Sequence, residues 1–192
     1  MKIILASKSP RRKEILENLG LEFEIIVADA NEDCDVKDPA ELVMTIASRK
    51  GIAVLESLDE RTKADTLLIA CDTLVYACGE FLGKPVDDAD AKRMLRMLSG
   101  DSHEVVSGLY LYYMGKEVRC AQSTRVFFDK MTDSDIEKYV ESGEPCDKAG
   151  AYAIQGKASA YIKGIEGDYF NVVGLPAHLL VKTVKEEFGI EL

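Results

Sequence analysis

The chain has 192 residues, of which 47% are hydrophobic and 30% charged, and its formal net charge is −10. This length suits one domain, or two lobes that share a sheet, and the composition is sufficient for a hydrophobic core. The negative charge disfavours binding to nucleic acid or to an anionic membrane without a local basic patch, and no apolar run is long enough to span a bilayer. The five scattered cysteines, with no Cys-x-x-Cys pair and no apparent signal peptide, predict reduced thiols in the cytoplasm rather than a structural zinc site.

The chain begins with a predicted strand and a predicted helix. Residues 2–5 form a short apolar run that is typical of a strand. Ser9 is expected to be the N-cap of the helix, because Pro10 suits the first helical position, and Gly20 is placed to end it. The two elements therefore meet at a strand-to-helix turn.

Three cations stand in the first turn of this predicted helix, namely Arg11, Arg12 and Lys13. The helix dipole already makes that end positive, so the cations are unfavourable there unless an anion binds. Backbone N–H groups, the Ser7 and Ser9 hydroxyls and these cations could together hold a phosphate. The alternative is an ordinary capped helix with solvated arginines.

Strands and helices alternate over the rest of the chain, apart from an acidic loop at 28–37 and a charged connection at 59–65. Helices are predicted over 38–55, 87–98, 132–140 and from 176 to 184. Strands are predicted over 22–27, 66–76, near 81, and over 103–114 and 117–129, the last two forming a hairpin. Residues 144–174 are rich in glycine and mix strand with loop. This order predicts an α/β protein with a mixed sheet, in which the hairpin region forms a second lobe.

Asp72 interrupts the most apolar of the predicted strands, at 66–76. A lone carboxylate is costly to bury without a partner, and alternation along the strand places Asp72 on one face with Ala70 and Leu74. Two interpretations follow. The aspartate is paired with an arginine for structural reasons, or it is a general base or metal ligand that lines a cleft.

Two lysines and one glutamine are further candidates. Lys84 is held between Gly83 and Pro85, and Lys50 lies on a predicted helix; each is either a surface lysine or a phosphate ligand. Gln155 lies next to Gly156 in a segment where glycines are expected to bracket a short strand and to allow a close approach to a ligand. Its amide could read the edge of a base, unless the segment is a hairpin without a ligand.

Several common catalytic motifs are absent from the sequence. It contains no P-loop, no dinucleotide-binding glycine fingerprint and no Gly-x-Ser-x-Gly elbow. Its only histidines are His103 and His178, which disfavours a histidine-based triad or a multi-histidine metal site. Carboxylates, cations and a metal are left to carry the chemistry.

Taken in order, these stretches resemble the Maf family of nucleoside triphosphate pyrophosphatases over nearly the whole chain. The strongest parts of the resemblance are Ser7-x-Ser9-Pro10-Arg11-Arg12, Asp72-Thr73, Gly83-Lys84-Pro85, Leu98-Ser99-Gly100-x-x-His103, Asp147-Lys148-Ala149-Gly150-x-Tyr152-x-Ile154-Gln155-Gly156 and Gly174-Leu175-Pro176. Ordered motifs with matching spacing are much more specific than any one of them alone. One departure is Cys71, where the family usually has a smaller residue; because alternation turns it away from Asp72, we expect only a packing change.

The resemblance implies a single α/β domain over 1–192. Its fold would be an elongated, mixed, twisted β-sheet with flanking helices and two lobes around a central cleft, as in inosine-triphosphatase-like proteins. The implied enzyme is a nucleotide diphosphatase that cleaves the α–β phosphoanhydride bond of dTTP and UTP, releasing the monophosphate and pyrophosphate. It further implies a divalent cation, Mg²⁺ or Mn²⁺, and a homodimer.

The resemblance also assigns roles to residues. Asp72 matches the family's proton acceptor, and Arg11, Thr73 and Gln155 match positions that set base specificity. On grounds of charge, the candidate phosphate ligands are the cations Arg11, Arg12, Lys50 and Lys84 with the hydroxyls of Ser7 and Ser9. Asp72 and Glu32 are the candidate metal ligands, and Asp72 is metal ligand, base or both.

Two other functions stay open at this stage. The same chemistry could act on 7-methyl-GTP, as in a sister branch of the family, or on another non-standard nucleotide. The chain could also be a nucleotide-binding regulator of cell division that does not need turnover. A regulator would have no use for a costly carboxylate in a buried strand, so Asp72 favours an enzyme.

Overall fold

The computed structural model describes residues 1–192, the whole chain, and its alternating strands and helices confirm the predicted α/β class. The strands are β1 (Lys2–Leu5), β2 (Glu24–Ile25), β3 (Thr66–Ala77), β4 (Glu80–Leu82), β5 (Ser102–Tyr113), β6 (Lys116–Phe128) and β7 (Ile162–Glu166). The α-helices are α1 (Pro10–Asn18), α2 (Pro39–Ser57), α3 (Glu60–Ala64), α4 (Asp88–Leu98), α5 (Asp133–Glu141), α6 (Tyr169–Val173) and α7 (Ala177–Phe188). Short 3₁₀ turns occupy Glu144–Asp147, Ala149–Ala151 and Lys157–Tyr161. No helix has both the length and the apolar character needed to cross a membrane.

The seven strands form one mixed sheet in the order β2-β1-β3-β5-β6-β7, and β4 pairs with β3 outside this path. Strand β1 is parallel to both of its neighbours, with Leu5 opposite Ile25 on β2 and Ile69 on β3. Strand β4 is antiparallel to β3, and β7 is antiparallel to β6. The parallel part matters for function, because ligands of open α/β sheets bind beyond the carboxyl ends of parallel strands.

The chain divides into two units, and each is built from separate segments. The first unit contains Met1–Asp72, Ser107–Gln122 and Gly174–Leu192, and the second contains Thr73–Val106 and Ser123–Val173. The predicted hairpin is present, but it is not confined to one unit, because its tip, 107–122, belongs to the first. The two residues of the hairpin turn, Met114 and Gly115, both have positive φ, of 48° and 83°, as tight hairpin turns require.

The first unit has its core where helix α2 lies against the sheet. A β-carbon added at Gly108 of β5 would lie 2.5 Å from the backbone atoms Met44 N and Val43 C, so only glycine allows the helix to approach this closely. The start of β3, from Thr66 to Cys71, is buried throughout, as predicted. One cluster of buried side chains in this core consists of Ile4, Ala6, Ala47, Val54, Leu55, Leu68, Ala70 and Tyr110.

The second unit has an aromatic group within its core. The rings of His103, Phe128 and Tyr152 contact one another, with centroids 5.6, 5.3 and 5.0 Å apart, and His103 Nε2 lies 2.7 Å from Tyr152 Oη. His103 is only 3% exposed. Burial lowers the pKa of His103 to about 4, and the nearby Asp101 carboxylate offsets part of that effect. This histidine is therefore a neutral core residue at neutral pH.

Two segments near the start of the chain differ from the prediction. Residues 59–65, expected to be a charged connection, contain the short helix α3, because the Asp59 carboxylate accepts a hydrogen bond from Thr62 N at 2.8 Å and caps a helix. The strand predicted over 22–27 is limited to Glu24–Ile25, because β1 ends at Leu5 and pairs with β2 only through Ile4 and Leu5.

The short strand predicted around Gly150 is also wrong, since 3₁₀ turns occupy its place. Gly150 has a φ of 69°, and its N–H donates to the Gly83 carbonyl at 3.0 Å. A β-carbon at this position would lie 2.8 Å from Val75 Cγ2. Contacts with residues far away in sequence therefore determine this backbone conformation, and the local sequence does not predict them.

Candidate functional site

The predicted strand-to-helix turn is present between β1 and α1, but its cap differs from the prediction. Ser9 occupies the N-cap position, yet its side chain makes no capping hydrogen bond. Instead, the Ser7 hydroxyl accepts hydrogen bonds from Ser9 N at 3.2 Å and from Arg12 Nη1 at 3.0 Å. Ser7 is buried and therefore shapes the turn from inside, while the more exposed Ser9 contributes its backbone.

Arg12 connects the start of α1 to the end of the buried part of β3. Its Nε donates to the Gly174 carbonyl at 2.8 Å, and the Cys71 thiol donates to the same oxygen at 3.3 Å. Cys71 is fully buried and directly precedes Asp72. A single carbonyl thus joins the cationic turn to the strand that carries the candidate carboxylate.

The parallel pairing of β1 with β3 also links the cationic turn at the start of α1 to the strand that carries Asp72. Leu5 lies opposite Ile69, and Ala6 N donates to the Ile69 carbonyl at 2.8 Å. Both strands run in one direction, so Ser7 and Asp72 follow on the same side of the paired residues Leu5 and Ile69. The cations at the start of α1 and the aspartate of β3 can therefore act on one anionic ligand.

Asp72 is partnered by Lys50 of α2, and not by an arginine. Lys50 Nζ lies 2.7 Å from Asp72 Oδ1 and 3.1 Å from Glu32 Oε1. The Asp72 and Lys50 side chains are 15% and 22% exposed, whereas that of Glu32 is 59% exposed. One ammonium group therefore bridges two carboxylates, and the deeper pair is largely removed from solvent.

The loop that carries Glu32 is fastened to α2 by Arg49, a residue that the sequence reasoning missed. Arg49 Nη1 donates to the carbonyls of Asn31, at 3.1 Å, and of Asp33, at 2.6 Å. These two carbonyls flank Glu32 along the chain. Adjacent residues of one helix thus hold the Glu32 backbone and the Glu32 carboxylate. The Arg49-Lys50 pair on the predicted helix was the only signal in the sequence.

The remaining predicted site residues, Thr73, Lys84 and Gln155, belong to the second unit. Thr73 continues β3 directly after Asp72 and is half-buried. Lys84 is exposed and follows Gly83, whose carbonyl receives the Gly150 N–H. Gln155 is exposed and lies in a turn that leads into the 3₁₀ turn Lys157–Tyr161.

The carboxylates of the first unit fit a divalent cation that is shared with a phosphate ligand. Glu32 and Asp72 both reach Lys50 Nζ within 3.1 Å, so one positive charge can lie between them. No group of three or more His, Cys, Asp or Glu side chains could enclose a metal ion. Mg²⁺ commonly binds through one or two carboxylates and completes its shell with waters and substrate phosphates. The donor set suits that arrangement rather than a closed metal site.

Comparison with known proteins gives the following matches. The family model described as Maf-like protein matches residues 2–187. A dTTP/UTP pyrophosphatase from Caldanaerobacter subterraneus subsp. tengcongensis is 44% identical over 193 residues, which span 100% of this chain and 91% of that protein. One from Alkaliphilus metalliredigens is 45% identical, spanning 100% of this chain and 98% of that protein. One from Bacillus cereus is 44% identical, spanning 100% and 97%.

Among solved structures, the Staphylococcus aureus Ham1 protein aligns with a TM-score of 0.44 and 14% sequence identity, over 67% of this chain and 72% of that chain.

Proposed function

This chain belongs to the Maf-like protein family, and we propose that it is a nucleoside triphosphate pyrophosphatase that converts dTTP and UTP to the monophosphate and pyrophosphate. One observation carries the proposal. Asp72, largely buried and three residues beyond the part of β3 that pairs in parallel with β1, contacts Lys50, which also contacts Glu32, and it follows the paired residues in the same direction as the cationic turn of α1. A carboxylate and several cations on one side of the paired residues suit hydrolysis of a polyphosphate.

The proposed reaction is attack of water on the α-phosphorus. The water oxygen bonds to phosphorus, the bond to the bridging oxygen breaks, and pyrophosphate leaves. Asp72 orients the water and accepts its proton, as a general base does. Arg11, Arg12 and Lys50, with the Ser7 and Ser9 hydroxyls, offset the charge of the phosphates so that water can approach.

A divalent cation would be held by Glu32 and Asp72. When bound, Mg²⁺ or Mn²⁺ supplies charge neutralisation and polarises the phosphoryl group. Lys50, which contacts both carboxylates, keeps these side chains together before a ligand arrives. Arg49 contributes by holding the loop on either side of Glu32.

Substrate choice is proposed on the resemblance and on the names of the relatives. Arg11, Thr73 and Gln155 would set base specificity, and Lys84 would add a phosphate contact. Gln155 suits the task because its amide offers donors and an acceptor to the edge of a pyrimidine. The homodimer stays a prediction, to be checked by sedimentation of the purified chain.

The test is a nucleotide panel assayed with Mg²⁺ and with Mn²⁺, in which monophosphate and pyrophosphate are measured together. We expect both products in equal amounts, with dTTP and UTP turned over faster than other nucleotides, and loss of activity on chelation. Release of orthophosphate with a nucleoside diphosphate would overturn the proposed bond cleavage. A preference for 7-methyl-GTP would overturn the substrate assignment while leaving the reaction in place.

A further inference from the structure

The turn that presents Gln155 is held by two side chains of the second unit, Tyr139 and Glu144. The Tyr139 hydroxyl accepts a hydrogen bond from Ala153 N at 3.3 Å, and Glu144 Oε2 accepts one from Lys157 N at 3.0 Å. These two N–H groups lie two residues before and two residues after Gln155. The Tyr139–Glu144 pair therefore binds the backbone of the turn by hydrogen bonds on both sides of Gln155.

The pair is itself joined by a hydrogen bond. The Tyr139 hydroxyl donates to Glu144 Oε1 at 2.8 Å, so the hydroxyl both donates and accepts, and both carboxylate oxygens are engaged. Tyr139 is only 4% exposed and lies on α5, whose start is fixed by a capping box. Burial raises the pKa of Tyr139, and the Glu144 carboxylate raises it further, so the hydroxyl keeps its proton at neutral pH. The pair is thus anchored in the core.

Gly156 shows how closely the carboxylate of Glu144 approaches the turn. A β-carbon at position 156 would lie 2.0 Å from Glu144 Oε1 and 2.4 Å from its carboxyl carbon. Any side chain there would push the carboxylate away from Lys157 N. The Gly156 N–H also donates to the Ala153 carbonyl at 3.1 Å, which closes the turn around Gln155.

We propose that Tyr139 and Glu144 are positioning residues that set nucleobase selectivity by fixing the turn from which Gln155 projects. The inference rests on the proposed function, since it assumes that Gln155 reads the base. The Gln155 side chain is exposed and forms no hydrogen bond within the protein, so its direction depends on the backbone beneath it. Loosening that backbone moves the amide relative to the base, and a displacement of about 1 Å is enough to alter rates by up to roughly a hundredfold.

The test compares kcat and KM for UTP, dTTP and CTP in the full-length chain and in the variants Tyr139→Phe and Glu144→Gln. Uracil and cytosine differ in the donor and acceptor groups at one edge, so their ratio reports the direction of the amide. We expect the UTP-to-CTP ratio of kcat/KM to fall roughly tenfold in both variants, mainly through a higher KM for UTP, with kcat changed less than about threefold.

Tyr169→Phe is the matched control. It removes the hydroxyl of an exposed tyrosine of the same unit and keeps the ring that contacts Phe170, so we expect the UTP-to-CTP ratio to stay as in the unmodified chain. Circular dichroism and thermal unfolding verify that each variant is folded. Glu144→Gln keeps the shape of the side chain, so it provides the answer if Tyr139→Phe fails to fold.

The possible failures are distinguishable. If the unmodified chain releases no pyrophosphate from UTP or dTTP, the proposed function falls and the inference falls with it. If the unmodified chain releases pyrophosphate, but Gln155→Ala leaves the UTP-to-CTP ratio of kcat/KM unchanged, then the role assigned to Gln155 is wrong and the inference is overturned. If Gln155→Ala lowers the ratio, but folded Tyr139→Phe and Glu144→Gln do not lower it, only the inference about Tyr139 and Glu144 is overturned.

Discussion

The two units of the chain treat buried polar groups in opposite ways. In the first unit, Asp72 and Lys50 form an ion pair although their side chains are only 15% and 22% exposed, and Glu32 is the second partner of Lys50. In the second unit, His103 is more deeply buried, and low pKa and ring contacts keep it neutral. Removing charges from water is costly, and hydrophobic replacements of buried ion pairs are often as stable. We therefore interpret the ion pair of the first unit as part of the proposed site, and the histidine of the second unit as a packing residue.

The largest expected effect is that of Asp72→Asn, which tests whether the ion pair of the first unit serves catalysis. The amide keeps the shape of the side chain but cannot accept a proton from water, so we expect turnover to fall roughly 10²–10⁴-fold. Unfolding by denaturant should change little, because Lys50 keeps Glu32 as a partner. The measurement is pyrophosphate release under saturating UTP, and near-normal turnover would remove Asp72 from the chemistry.

The next effect tests the second unit, through the dependence of stability on pH. The pKa of His103 is about 4 in the folded protein against an ordinary value of 6.5, so the unfolded chain takes up the proton first as the pH falls. The stability that the neutral ring contributes is present above pH 6.5 and is lost between pH 6.5 and about 4. At roughly 1.4 kcal/mol per pKa unit, the loss is about 3 kcal/mol.

The measurement for this prediction is the unfolding free energy at several pH values. We expect His103→Gln to have lower stability at neutral pH but a shallower decline on acidification than the unmodified chain. The exposed His178 provides the control, since His178→Gln should retain the full decline. Parallel curves for the unmodified chain and His103→Gln would show that the ring does not carry this effect.

A smaller effect is expected from Arg49→Met, which frees the loop on both sides of Glu32 without touching the carboxylates. We expect a loss of roughly tenfold in kcat/KM, since the charged group of Glu32 is no longer held near Lys50. Arg49→Lys keeps the charge but loses the planar fork of donors, so it should be intermediate. Arg96→Met, which removes a surface ion pair of the second unit with Asp133, is the control and should leave kcat/KM unchanged.

The smallest expected effect comes from that same surface ion pair. It tests whether charged side chains contribute to the stability of the second unit. Asp133→Asn removes the partner of Arg96, and both side chains are largely exposed, at 82% and 56%. Exposed pairs contribute little, so the unfolding free energy should change by less than about 1 kcal/mol. A larger change would mean that charges in the second unit also stabilise it, which would weaken the contrast with the first.

Elements whose signals are local were predictable from the sequence. Thr132 and Asp135 form the capping box expected at the start of α5, with both reciprocal hydrogen bonds present. The hairpin between β5 and β6 follows from Gly115, which supplies a positive φ at the turn. The turns around Gly150 were not predictable, because Gly83 and Val75, far away along the chain, determine that backbone.

The candidate site shows the same limit. The high cost of burying Asp72 was visible in the sequence, since a single charge stands in an apolar strand. Its partner was not, because the ammonium comes from Lys50, 22 residues away along the chain. The expected side-chain cap by Ser9 is absent, and the contact that is present, from the Ser9 N–H to the buried Ser7 hydroxyl, was not expected from the sequence.

The hydrogen bond from Arg12 to the Gly174 carbonyl joins residues 162 positions apart and has a consequence for biosynthesis. A ribosome therefore synthesises the arginine 162 residues before its acceptor. The first unit also contains Gly174–Leu192, so a nascent chain that stops before this segment lacks part of that unit. The anchor of the cationic turn forms only once Gly174 has emerged from the ribosome, and a product terminated before that residue cannot acquire it.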